Sequence, residues 1–66
     1  MKDVKIRIEK LQTDALDCEI IAKLATNSAK RESFERLADA YRRMAAELQD
    51  LIESGKISND GGGGSV

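Results

Sequence analysis

Proline, tryptophan and histidine are absent from this chain, cysteine occurs once, and the aromatics amount to one Phe and one Tyr. Each absence removes a possibility. Without proline, any break in a helix must come from weaker signals. A single cysteine cannot close an internal disulfide, and without histidine it leaves a transition-metal cage short of ligands. An excess of charge of one sign is also missing. Lys and Arg number 11 against 12 Asp and Glu, a formal net charge of -1, which gives no general attraction to nucleic acid or to an anionic membrane. No apolar run approaches the roughly 20 residues of a membrane span, and no basic-then-apolar leader opens the chain. A reduced, soluble, cytoplasmic protein is expected, with neither metal nor cofactor. At 66 residues the chain is one small domain at most, of a size that is marginal unless stapled or oligomeric.

What is present is helix-forming. Residues 1–57 are rich in Ala, Leu, Glu, Lys, Arg and Met and hold a single glycine, Gly55,. Residues 58–66 (Ser-Asn-Asp-Gly-Gly-Gly-Gly-Ser-Val) read as a flexible tail or an appended linker,. A phosphate-cradling loop would need a helix after its glycines, and here the glycines close the chain.

The spacing predicts a first helix over 3–26, with Asp3 as N-cap. Val4, Ile8, Leu11, Ala15, Cys18, Ala22 and Ala25 follow an unbroken four-three repeat along one stripe,. A second helix is predicted over 28–54, where Phe34, Leu37, Tyr41, Met44, Leu48 and Leu51 repeat at three-four spacing, flanked by Ala38, Ala45 and Ile52,. Gly55 stands where a left-handed residue ends a helix. At about 100° per residue the two stripes differ in direction by roughly 110°, so one continuous helix would wind its apolar face around its axis. A turn over 26–28, with Asn27 capping the second helix, removes the mismatch. The expected fold is all-α, a two-helix antiparallel hairpin.

Charge agrees with that orientation. Lys2, Lys5, Arg7 and Lys10 would lie opposite Glu47, Asp50 and Glu53, and Asp14, Asp17 and Glu19 beside the half of the second helix that carries Lys30, Arg31, Arg36, Arg42 and Arg43. Such surface pairs contribute tenths of a kcal/mol, so they select orientation more than they stabilise. Within the helices, Glu19–Lys23, Glu32–Arg36, Asp39–Arg43 and Asp3–Arg7 stand at the favourable acid-first spacing of four,.

The first helix is unusual. Beyond Leu11 its regular stripe turns small, while Ile6, Leu16, Ile20 and Leu24 fall on nearly the opposite side, with Ile21 between. A helix apolar on two sides needs covering on two sides. The expected interface is Leu16, Ile20 and Leu24, with Phe34, Ala38, Ala45 and Ile52 at its flank. Through it two hairpins would form a homodimeric four-helix bundle. The alternative is a protein partner whose groove takes the same patch.

Chemistry is sparse. Cys18 lies in the stripe, where a thiol serves as a small core hydrophobe, and Tyr41 reads as amphipathic core. The carboxylates lack the inward-facing Glu-x-x-His pairs of a di-metal bundle, so no catalytic residue, cofactor or small-molecule substrate is expected. Lys30, Arg31, Arg36, Arg42 and Arg43 are interrupted by Glu32, Glu35 and Asp39. Nothing there favours nucleic acid, although Arg31, Arg36 and Arg43 leave room for a regulator that touches nucleic acid or an acidic partner.

Cys18-x-x-x-Ala22-x-x-Ala25-Thr26, followed by Arg31, Phe34, Leu37-Ala38, Tyr41 and Met44-Ala45, resembles a pattern in short, uncharacterised proteobacterial helical-hairpin proteins. There, C-x-x-L-A-x-x-A-T-D-P-x-x-R precedes a helix reading L-A-x-x-W/Y-x-x-L-A. Asn27-Ser28 replaces the Asp-Pro helix start of that pattern, and Ile21 stands where it has Leu or Ala. The resemblance spans about residues 15–48 and implies the hairpin; it carries no activity. The function expected from the residues is a small non-enzymatic interaction or scaffold module that self-associates through its first helix.

Overall fold

The computed structural model describes residues 3–57, with side chains from Val4 onward. Two helices account for nearly all of it: α1 over Asp3–Leu24 and α2 over Ser28–Glu53. They lie antiparallel, Val4 of α1 packing at the same end as Ile52 of α2. The expected cap at Asp3 and the tail over 58–66 lie outside the described side chains and residues.

The turn is short and each of its ends is satisfied by local hydrogen bonds. α1 ends at Leu24, two residues before the expected Thr26, and the Ala25 N–H closes a tighter bond to the Ala22 carbonyl at 3.2 Å, as the last turn of a helix commonly does. Asn27 is extended (φ -124, ψ 154), and its side-chain oxygen accepts from the Lys30 N–H at 2.7 Å. That satisfies one of the four amides a helix start leaves orphaned. Arg31 Nη2 reaches back to the Ala25 carbonyl at 3.5 Å.

α2 stops by a different device. Ser54 is its C-cap, and Gly55 turns left-handed at φ +79. Lys56 N–H then bonds the Leu51 carbonyl at 2.9 Å, and Gly55 N–H the Ile52 carbonyl at 3.0 Å. This is the Schellman arrangement, which pairs carbonyls that would otherwise be unpaired.

The core is a single seam. On α1 it holds Ile8, Leu11, Ala15, Cys18 and Ala22, all on the stripe read from the sequence. On α2 the centre line is not the expected one. Ala38 and Ala45, expected at the flank of an outer interface, are 1% and 4% exposed inside the hairpin's own seam, while Leu37 and Met44 are 43% and 42% exposed. Phe34, Tyr41, Leu48 and Ile52 pack beside the alanines, half-buried. The physical reason is matched size. Ala15 and Cys18 are too short to bridge a wide gap, so they gain contacts only where the opposite residue is also small, and Ala38 answers them,. Toward the open end the residues enlarge on both helices, with Ile8 and Leu11 meeting Leu48 and Ile52 around Ala45.

Candidate interaction surface

The hairpin is one helix-pair thick, 47 × 18 × 14 Å, so among the described residues each helix has only the other to cover it. For α2 it mostly suffices: Phe34, Ala38, Tyr41, Ala45, Leu48 and Ile52 share the seam face, and of its large apolar residues only Leu37 and Met44 stand exposed, at its side. For α1 it does not. Ile6, Leu16, Ile20 and Leu24 are 59%, 58%, 55% and 76% exposed. At about 100° per residue they centre roughly 150° from the line through Ile8, Ala15 and Ala22. α2 therefore covers one side of α1 and leaves an apolar stripe on the other. An exposed Leu or Ile standing alone is ordinary; four on one stripe form a patch of the kind that marks contact sites.

The stripe is ordered as well as apolar. Three rows at seven-residue spacing run along it: Ile6, Thr13 and Ile20 in the middle, Glu9, Leu16 and Lys23 on one edge, Lys10, Asp17 and Leu24 on the other,. Lys10 Nζ is held 3.1 Å from Asp14 Oδ1 on its own helix.

Of the residues expected at the flank, Phe34 and Ile52 belong, with Ala38 and Ala45, to the seam. They do not join the outer stripe, from which α1 itself separates them. What sequence reasoning placed in the α2 core, Leu37 and Met44, lies instead at the hairpin's side. Met44 borders an open groove with Val4, Arg7, Leu11, Glu47 and Leu48. Ile21 is 38% exposed.

The ion pairs also settle differently from the acid-first pattern. Arg42 takes both Glu19, across the seam, and Asp39, Nη1 to Oδ1 at 3.2 Å. A guanidinium fork at the edge of the seam can hold two carboxylates at once, which a residue one step further round the helix cannot do across the hairpin. The three arginines considered as an anion contact do not converge. Arg31 is tied to the turn carbonyl. Arg36 and Arg43 are exposed on α2's back, with Arg43 about 18 Å along the axis from Arg31 at 1.5 Å per residue.

Cys18 is buried in the seam with Ala15 and Ala38. Among the described residues no three Cys, Asp or Glu side chains converge on a point, and no helix is long and apolar enough to cross a membrane. Comparisons with protein-family models, with characterised proteins and with solved structures found no match to the chain.

Proposed function

We propose that this chain is a small, non-enzymatic cytoplasmic interaction module that homodimerises through the outer stripe of α1. In the dimer the two α1 helices lie inside and each α2 backs its own α1, giving a four-helix assembly. The observation that carries this reading is the exposure of Ile6, Leu16, Ile20 and Leu24 together on the side of α1 that α2 leaves uncovered. A single seam of mostly small side chains is a slender core for a domain of this size, and a second seam on α1 would supply the missing burial. The stripe also suits an isologous contact, in which each copy offers the same patch.

Leu16→Glu combined with Ile20→Glu tests this. Two carboxylates on the stripe stay solvated in a monomer and must be desolvated in a dimer. The variant should elute as a monomer where the parent is a dimer, and should be less helical than the parent at the same concentration. A parent that is already monomeric, or a variant whose mass and circular dichroism are unchanged, would refute the proposal. A parent that is monomeric alone yet binds another protein through the same residues would transfer the stripe to a foreign groove.

A further inference from the structure

We infer that the second copy lies antiparallel on the α1 stripe, its direction and register set by charge along that helix; the inference rests on the self-association proposed above. The charge of α1 is polarised along its length, although Glu19 is engaged by Arg42 across the seam. Residues 4–12 hold Lys5, Arg7 and Lys10 against Glu9 alone, and residues 13–24 hold Asp14, Asp17 and Glu19 against Lys23 alone. Two such helices side by side in parallel set the basic halves together and the acidic halves together. Running antiparallel, each basic half lies along an acidic one, and like-charge contact is avoided at both ends.

The apolar residues then choose the register. Ile6 and Leu24 lie near the two ends of the stripe, 18 residues apart. Placing Ile6 opposite Leu24 of the second copy puts the two-fold axis beside Ala15 and does so twice by symmetry. In that register Lys10 comes within about 5 Å along the axis of Asp17 of the second copy, and Glu9 within about 3 Å of Lys23 of the second copy, at 1.5 Å per residue. Both are opposite-charge pairs. They also lie on matching edges. In an antiparallel pair the same edge of each helix meets, so the edge carrying Glu9, Leu16 and Lys23 faces itself reversed, and so does the edge carrying Lys10, Asp17 and Leu24. A parallel pair brings opposite edges together instead and sets Leu16 beside Asp17 of its neighbour, an aliphatic chain against a carboxylate. Lys10, held by Asp14 within its own helix, is free to turn outward because that pair is exposed and worth little.

Cross-linking reads the direction. In a Cys18→Ala background, Glu9→Cys and Lys23→Cys each place one thiol on the edge of the stripe, at exposed positions that leave the seam untouched. A short bis-maleimide is added to each variant alone and to their mixture. Antiparallel packing sets two copies of position 9 about 18 Å apart along the axis, beyond the reagent, while positions 9 and 23 of different copies are neighbours. The mixture should therefore yield a cross-linked dimer holding one chain of each variant, with neither variant linked to itself. Self-linked Glu9→Cys or Lys23→Cys dimers matching the mixed product would overturn the antiparallel direction while leaving self-association in place. A dimeric mass by light scattering with no cross-link in any mixture would overturn the register. A monomeric mass would overturn the self-association itself, and the direction with it.

Discussion

Ala38 sits at the point of closest burial in the hairpin, 1% exposed, against Ala15 and Cys18. A longer side chain there has nowhere to go except between the helices. Ala38→Leu should therefore lower the unfolding free energy by about 1–3 kcal/mol, the usual cost of overpacking. Leu37→Ala, one residue away and 43% exposed, should stay within about 0.5 kcal/mol. Urea unfolding of the pair decides which line of α2 faces α1, and the reverse ranking would return the seam to Leu37 and Met44. The same pair of residues shows where sequence reading runs out. On α1 the apolar residues at four-three spacing offered one stripe, and it is buried from Ile8 to Ala22, with Val4 and Ala25 half-buried at its ends. On α2 two lines fit the spacing, Phe34-Leu37-Tyr41-Met44 and Phe34-Ala38-Tyr41-Ala45, and hydrophobicity favours the one with larger side chains. Size complementarity across the seam decides for the other, and it is a property of two helices together. No periodicity within α2 contains it.

The two helix ends are fixed by single residues whose chemistry is visible in the sequence. Asn27 was identifiable because the phase of the two stripes disagreed and a capping side chain stood between them, and it does accept the Lys30 amide. Asn27→Ala leaves that amide without its side-chain acceptor and should cost about 1 kcal/mol, read as a lower urea midpoint at unchanged slope. Asn27→Asp, which keeps the acceptor, should lose little. At the far end Gly55 adopts φ +79 with nothing within 4 Å of where a Cβ would stand. The penalty of Gly55→Ala is thus conformational alone, about 1 kcal/mol, and should show as fraying of the last turn in amide exchange with the seam's protection retained. An unchanged exchange pattern would mean the turn is held by something other than the glycine. The early stop of α1 at Leu24 was not legible, because Ala25 and Thr26 are acceptable in a helix. Closure of the turn onto Asn27 ends the helix there.

At the scale of the molecule, the hairpin leaves unequal helices. α2 is amphipathic in the ordinary way, one face against α1 and a charged back to water. α1 is apolar on both sides, and only one of them is met. The outward placement of Leu16, Ile20 and Leu24 was legible because residues at fixed helical spacing keep their angular relation whatever the fold does. The assignment of Phe34, Ala38, Ala45 and Ile52 to the same surface was not, since it needed the position of α2 around α1. That position puts them on the inner side, a helix diameter away from the stripe.

In the proposed assembly a second copy covers the outer side of α1. Mass by light scattering across a dilution series, with the thermal midpoint followed by circular dichroism in the same samples, tests it directly. For a chain of 7.2 kDa, a dimer gives twice that mass at micromolar concentration, and its midpoint falls on dilution because folding and association are linked. A mass of 7.2 kDa with a cooperative midpoint independent of concentration would show the hairpin folding alone with its outer stripe in water.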